Sequence, residues 1–167
     1  METHHVAAIT QTVNLYALAL DSLNIDLFDR IFTPDCVADY GGPKPFEGLE
    51  PFKARFAETH RGFDATQHFV TNHHVTIAGN DATCLSYFRA MLMRDMPGGD
   101  NLFETAGWYD DRLTLTPDGW RIAHRVCRQT WSGGNPQIPP MAPGTPAVLS
   151  REAANQSVGH IAALLSG

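Results

Sequence analysis

Hydrophobic residues in the first third of the chain recur at steps of three and four, which is the spacing of one helix face. This spacing predicts a first helix whose apolar face consists of Val6, Ile9, Val13, Tyr16 and Leu20. A second, short helix is predicted to begin after Asn24, an N-cap residue, and a third helix is predicted over 49–58. The chain therefore begins with helices that carry apolar faces.

Beyond residue 65 the pattern changes to long stretches with strand character, separated by turns that contain Gly, Pro, Asn or Asp. A short strand at 37–40 precedes four long strands, predicted over 66–78, 82–94, 102–115 and 120–131. Long strands joined by short turns form an antiparallel meander, and helices followed by strands favour an α+β fold. Such strands twist and curl. We therefore predict a cone-shaped α+β barrel, with N-terminal helices packed over a curved, mostly antiparallel sheet.

The length of 167 residues suits one domain with its own core, which we place at residues 1–131. Residues 132–144 are rich in Pro and Gly and are not expected to form regular structure. Ser150 then predicts the cap of a last amphipathic helix over 151–165. The segment 132–167 is expected to pack on the domain or on a neighbouring subunit; a partly disordered end is the alternative.

The formal net charge of −6 gives no support to binding of nucleic acid or of an anionic membrane. No apolar run is long enough to cross a bilayer and the N-terminus lacks the order of a signal peptide, so a cytoplasmic location is expected. The cysteines, Cys36, Cys84 and Cys127, have no metal or redox spacing and are expected to be reduced and buried. No metal and no other cofactor is predicted; the expected partner is a small molecule.

The segment 64–75 has the pattern of a strand, yet it contains three histidines, the side chains that exchange protons near neutral pH. Because side chains alternate along a strand, His68 and His73 point to opposite faces and cannot serve one site unless a bulge intervenes. His68 is either a core histidine satisfied by hydrogen bonds or a proton-transfer residue. His73 and His74 are expected at the surface or in an interface.

Further polar positions are candidates for a site inside the curved sheet. Asp21 follows the apolar face of the first helix, where a carboxylate is unfavourable to the helix dipole and is better tolerated beside a histidine. Tyr40 ends the short strand, and alternation places Arg121 and Arg125 on one face of the last strand. Polar groups are few in an apolar pocket, so those that point into it are expected to orient a ligand.

Motifs spread over residues 8–131 resemble those of a known family. They are Ala19-Leu20-Asp21, Phe32-Thr33-Pro34-Asp35, Val37-Ala38-Asp39-Tyr40-Gly41-Gly42, Thr66-Gln67-His68-Phe69, Tyr109-Asp110-Asp111-Arg112-Leu113 and Asp118-Gly119-Trp120-Arg121-Ile122. In this order they resemble the SnoaL-like proteins of the nuclear transport factor 2-like superfamily, close to the branch of scytalone dehydratase and hexachlorocyclohexane dehydrochlorinase. The resemblance marks the fold more strongly than the activity, since one fold hosts enzymes, binding proteins and structural subunits.

The resemblance implies an Asp–His dyad at Asp21 and His68, in which the carboxylate orients the imidazole and the imidazole removes a proton. Such a pairing is physically reasonable, because a carboxylate hydrogen-bonded to one ring nitrogen fixes the tautomer and stabilises the imidazolium. The resemblance also implies site roles for Tyr40, as a donor to a carbonyl or leaving hydroxyl, and for Arg125, as a cation that offsets oxyanion charge.

The chain also departs from scytalone dehydratase, which has a second histidine on the strand where this chain has Met91 and Met93. Scytalone dehydration itself is therefore not expected, and a more apolar pocket is. The residues predicted to line it are Asn72, Phe88, Met91, Met93, Trp108 and Tyr109. Plain core packing is the alternative for the methionines and aromatic residues.

Three functions are open at this point. The first is a cofactor-independent lyase, dehydratase-like, or isomerase that acts on a small, largely apolar cyclic or polyketide-like substrate by general-base proton abstraction. The second is a polyketide-cyclase-like enzyme that closes a ring by an aldol reaction. The third is a non-catalytic ligand-binding or assembly module, such as the small subunit of a ring-hydroxylating dioxygenase.

The resemblance further implies a homo-oligomer, because such relatives bury the outer face of the sheet in dimers or trimers. We expect a trimer ahead of a dimer. Alternation predicts that Phe69, Thr71 and His73 lie on this outer face.

Overall fold

The computed structural model describes residues 2–139. Its helices are α1 (Glu2–Asp21), a 3-10 helix (Ile25–Arg30) and α2 (Leu49–His60). Its strands are β1 (Phe32–Asp39), β2 (Phe46–Glu47), β3 (Ala65–Ala78), β4 (Asp81–Met93), β5 (Leu102–Thr116) and β6 (Gly119–Gly134). The helix predicted over 151–165 lies outside the described residues.

The six strands form one sheet in the order β2-β1-β6-β5-β4-β3. Neighbouring strands are antiparallel except β1 and β6, which run parallel. The sheet is not closed, because β2 and β3 form its edges. We call the face covered by the helices the inner face, and the opposite one the outer face. The predicted cone-shaped α+β fold, with helices over a mostly antiparallel sheet, is confirmed.

The core lies between α1, α2 and the inner face. Ile9, Val13 and Leu20 of α1 are almost completely buried, as the helical spacing predicted, whereas Val6 is 36% exposed. The helices meet the sheet through a cluster of aromatic rings, in which the rings of Phe52 and Phe56 lie 4.6 Å apart. Aromatic side chains bury large apolar areas, so this cluster fixes how α2 sits on the sheet.

Two predicted boundaries differ from the structure. β1 begins at Phe32 and includes Pro34, whereas the short strand was predicted to begin at 37; its pairing with β6 is interrupted between Phe32 and Val37, where proline needs no ladder hydrogen bond. Asn24 precedes the 3-10 helix, but its side chain makes no capping hydrogen bond. Its carbonyl accepts from the N–H of Leu27 instead.

The three cysteines are buried and free, as predicted. Burial is the main cause that raises the thiol pKa, to about 11 for Cys36 and about 12 for Cys84 and Cys127, so all three remain thiols. Within residues 2–139, none of the helices is long and apolar enough to cross a membrane.

Candidate active site

Asp21 and His68 are in direct contact. Asp21 is the last residue of α1, and His68 lies near the start of β3, an edge strand. Nδ1 of His68 is 2.6 Å from Oδ1 of Asp21, and the backbone N–H of His68 donates to Oδ2 at 2.8 Å. The hydroxyl of Thr66 also donates to Oδ1, at 2.8 Å. Because no strand among residues 2–139 pairs with the far side of β3, the N–H groups on that edge are available to the end of α1.

This contact fixes the tautomer of His68. An ionised carboxylate only accepts hydrogen bonds, so Nδ1 carries the ring proton and Nε2 keeps its lone pair. The His68 side chain is 6% exposed and lines a cavity. An imidazole held in this way can take a proton at Nε2 while Asp21 stabilises the resulting cation.

The ionised carboxylate of Asp21 also makes the stability of the fold depend on pH. Burial would raise the pKa of Asp21, but hydrogen bonds from the His68 ring, the His68 N–H and Thr66 outweigh it and lower that pKa. A lowered folded-state pKa means that the carboxylate stabilises the fold above its unfolded-state pKa of about 3.9. This contribution is lost as the pH falls through that value toward the folded-state pKa.

We therefore expect Asp21→Asn to reduce the acid dependence of the free energy of unfolding, measured by urea titration between about pH 3 and pH 6. Part of the dependence of the unfolding free energy on pH is expected to remain because of Asp39. Burial would raise the pKa of Asp39, but hydrogen bonds from Arg128 and Gly41 outweigh it and lower that pKa. The companion variant Asp39→Asn measures that residue's share. An Asp21→Asn protein with an unchanged acid dependence would contradict the lowered pKa of Asp21.

His68 opens onto a cavity of about 280 Å³ between the helices and the inner face of the sheet. Its apolar lining includes Leu20, Phe56, Phe63, Phe88, Ala90, Leu92, Phe103 and Pro139. Its polar lining includes Tyr16, Tyr40, Thr59, His60, Thr105, Tyr109 and Gln129. The size and lining suit a small, largely apolar ligand that carries a few polar groups.

Two tyrosine hydroxyls meet at this cavity. Tyr40, which follows β1, donates to the hydroxyl oxygen of Tyr16 on the buried face of α1, at 2.8 Å. Burial is the main cause that raises the pKa of both phenols, so both stay protonated. One of the two protons makes this hydrogen bond, so the other remains available to a ligand oxygen. Sequence reasoning treated Tyr16 as core; a tyrosine in an otherwise aliphatic helix face was the available signal.

Arg125 was expected at the site, and the structure places it behind the cavity wall. It is completely buried and makes two hydrogen bonds of 2.7 Å to Asp111, from Nε and Nη2. Its guanidinium lies 4.5 Å from the ring centre of Tyr16 and 4.1 Å from that of Tyr109. It is not among the residues that line the cavity. Because its charge is already paired with Asp111, Arg125 does not offer a free cation to a ligand. Its guanidinium packs instead against the tyrosine rings on the side away from the cavity.

Of the predicted lining residues, Phe88 and Tyr109 line the cavity. Met91, Met93 and Trp108 do not, which corrects the predicted lining. The pleat explains the difference: β4 and β5 turn alternate side chains inward, so these three point to the outer face. Met93 is 44% exposed there.

Asn72 does not line the cavity either, because β3 has a bulge at this point. Its φ is 55°, in the left-handed region that asparagine tolerates better than most residues, and the pairing with β4 shifts between Thr71 and His74. The bulge reverses the alternation, so His73 turns inward and becomes partly buried while His74 stays exposed. The expectation that His73 lies on the outer face is thus corrected. Burial, opposed by Asp111, lowers the pKa of His73.

His60 is a cavity residue that sequence reasoning missed. It ends α2, one turn after Phe56 and two turns after Phe52 on the buried helix face, and this spacing was the available signal. Its Nδ1 lies 2.9 Å from the carbonyl oxygen of Phe56. Its ring centre is 5.7 Å from that of His68. Burial is the largest cause that lowers the pKa of His60, to about 4, so the ring is neutral at physiological pH.

In the described part of the chain, no group of three or more His, Cys, Asp or Glu side chains is arranged to hold a metal ion. Asp21 is the carboxylate that contacts His68 at the cavity. The expectation that the site works without a metal or another cofactor stays a prediction.

Known proteins are similar to this chain in sequence or in fold. An uncharacterised protein of Mycobacterium tuberculosis is 33% identical over 122 residues, which cover 71% of this chain and 80% of that protein. The crystal structure of the Kfla4162 protein from Kribbella flavida is 25% identical, with a TM-score of 0.77, and covers 83% of this chain and 98% of its own. A Novosphingobium aromaticivorans structure assigned provisionally as a scytalone dehydratase is 18% identical, with a TM-score of 0.74 and coverage of 90% and 97%.

The last of these structures, at its low identity, is evidence for the fold alone. The family evidence comes from the sequence: the family model for the SnoaL-like domain matches residues 1–126, most of the chain and all of α1 to β5. The chain therefore belongs to the SnoaL-like domain family.

Proposed function

We propose that this protein is a cofactor-independent lyase or isomerase whose reaction begins with proton abstraction by His68. The observation that carries the proposal is the 2.6 Å contact between Asp21 and His68 at the wall of a largely apolar cavity. Abstraction of a proton from carbon requires a base that works near neutral pH, a carboxylate that orients this base and a largely apolar pocket. The SnoaL-like family, with its dehydratase-like structural neighbours, is consistent with this class of reaction.

The substrate class follows from the cavity. Its volume of about 280 Å³ and its aromatic lining suit a small cyclic or polyketide-like compound. Nε2 of His68 takes a proton from the carbon next to a carbonyl, and the electrons of the C–H bond form an enolate. The proton of the Tyr16–Tyr40 pair that is not used between the two hydroxyls is donated to the enolate oxygen as charge develops there.

The second half of the reaction distinguishes a lyase from an isomerase. In an elimination the enolate re-forms its carbonyl, the C–O bond at the β carbon breaks, and the His68 imidazolium returns its proton to the departing hydroxide, which leaves as water. In an isomerisation the imidazolium returns the proton to another carbon. A ring-closing aldol reaction begins with the same abstraction and differs in that the enolate carbon attacks a second carbonyl.

A non-catalytic module is less well supported. It predicts a filled cone and a His68 without a carboxylate partner, whereas the cavity is open and Asp21 holds His68 through both its ring and its backbone. Three hydrogen bonds to one carboxylate are more than the packing of a core histidine requires.

The test is deuterium incorporation in D₂O. A panel of β-hydroxy ketones and hydroxylated bicyclic ketones is incubated with the protein and followed by proton NMR. Exchange at the α carbon reports proton abstraction, and the appearance of an enone, a shifted double bond or a new ring identifies the later step. Compounds that perturb the His68 ring signals but neither exchange nor react would favour the binding module instead.

Assembly gives a further prediction. Aromatic side chains lie exposed on the outer face: Phe69 is 45% exposed and Tyr87 is 47% exposed, and Tyr87 stacks on Trp108 at 6.2 Å. Exposed aromatic patches mark interaction surfaces, and we propose that a second copy of the chain covers this one. Tyr87→Asp is expected to lower the molar mass measured by light scattering to that of the monomer. Leu18→Asp, at a 57% exposed position on α1, is the matched control; a monomeric wild type at micromolar concentration would refute the proposal.

A further inference from the structure

His60 occupies a position that proton abstraction by His68 does not use. Its ring stacks on Phe56, with 5.7 Å between ring centres and 20° between planes, and meets the edge of Phe63 at 5.8 Å. The residue is 7% exposed, and the side of the ring not covered by these neighbours lines the cavity. The imidazole is therefore held in one orientation.

The hydrogen bond to the helix determines what His60 presents to a ligand. The carbonyl oxygen of Phe56 only accepts, so Nδ1 of His60, 2.9 Å away, must carry the proton of the neutral ring. Nε2 is then the ring's remaining polar atom, and it carries a lone pair. Since burial keeps this ring neutral, Nε2 is an acceptor and not an acid at physiological pH.

The polar groups of the cavity consequently differ in what they offer. The Tyr16–Tyr40 pair supplies one hydroxyl donor, and His68 supplies a base. His60 adds a fixed neutral acceptor, with its ring centre 5.7 Å from that of His68. When a ligand displaces water from this lone pair, the acceptor costs free energy unless the ligand donates to it, and an anionic ligand would place its own lone pairs against it.

We propose that His60 is a ligand-binding residue that accepts a hydrogen bond from a hydroxyl group, so that the cavity selects neutral, hydroxylated ring compounds over their ethers and over anions. The hydroxyl preference depends on the cavity alone. That the bound hydroxyl lies within a few bonds of the carbon that loses a proton rests on the proposed function. The hydroxyl bound by His60 is one that the product retains, because a neutral acceptor gives no proton to a leaving group.

The experiment compares two probes on one ring system: 2-naphthol, which can donate, and 2-methoxynaphthalene, which cannot. Binding to the full-length protein is measured by isothermal titration calorimetry. A neutral hydrogen bond to a fixed buried acceptor is expected to favour 2-naphthol by about tenfold. His60→Phe should abolish this preference, His60→Gln should restore part of it through its amide oxygen, and His4→Phe, the same change at an exposed position on α1, should leave it intact.

Two results would overturn the proposal: an undiminished preference for 2-naphthol in folded His60→Phe protein, or no binding of either probe at millimolar concentration. If His60→Phe does not fold, ¹⁵N NMR of the wild-type imidazoles decides the question. Saturating 2-naphthol should shift the Nε2 resonance of His60, and 2-methoxynaphthalene should not; an unmoved resonance refutes the contact. Binding is measured without turnover, so a failure of the proposed catalysis leaves this result standing.

Discussion

His68→Ala is expected to lower the rate of deuterium incorporation into a substrate found in the ketone panel by about 10²–10⁴-fold, the usual contribution of a general base. The fold should persist, because the ring borders a cavity that already contains empty space. Nε2 of His68 is the atom that takes the proton, and alanine leaves no base in its place. Full activity in a folded His68→Ala protein would end the dyad mechanism.

Asp21→Asn is expected to reduce the same rate, because an amide does not stabilise the imidazolium as the carboxylate does. The effects of the two substitutions should be strongly non-additive: once His68 is absent, Asp21 has nothing left to orient. Thr66→Val is the matched control, since it removes one hydrogen bond to Asp21 and leaves the 2.6 Å contact with His68 in place. Additive losses would mean that the two residues act separately.

The second large effect concerns stability. Arg125→Met is expected to lower the free energy of unfolding by about 3–5 kcal/mol, because it leaves the Asp111 carboxylate buried without its partner. Burial lowers the pKa of Arg125, but Asp111 raises it by more, so the native pair is ionised. Chemical denaturation monitored by circular dichroism measures the loss.

The double variant Asp111→Leu/Arg125→Met decides whether the loss comes from the unpaired charge. Replacing both partners with apolar residues removes the buried charge altogether, so the double variant should be more stable than Arg125→Met alone. The matched control is Arg128→Met, which breaks the partly exposed ion pair with Asp39 and is expected to cost about 1 kcal/mol or less. A cost for Arg125→Met no larger than that of the control would contradict this account.

The fold was predictable because helical spacing, strand length and turn residues all favour the same architecture. The contact between Asp21 and His68 was predictable for a related reason: it joins the end of one predicted element to the start of another. The family motifs also mark both residues. Neither prediction required knowing how a side chain packs.

The missed features depend on partners that are distant in the sequence. Nothing near Arg125 indicates that Asp111, on the neighbouring strand, already neutralises it. The neutral state of His60 depends on its burial between the helix and the sheet. The positions of Met91 and Met93 required the phase of the pleat, which a one-residue difference in register reverses.

The bulge at Asn72 has an evolutionary consequence. His68 and Val75 are seven positions apart, yet both turn inward, whereas an unbroken strand would need an even spacing. Deleting Asn72 would leave an even spacing, which an unbroken strand satisfies, so Val75 and Ile77 would stay inward and the bulge alone would be lost. Homologues that retain both the histidine and this apolar pair are therefore expected to have a bulge wherever the spacing is odd and a regular strand wherever it is even, so the parity of the segment's length predicts its backbone geometry.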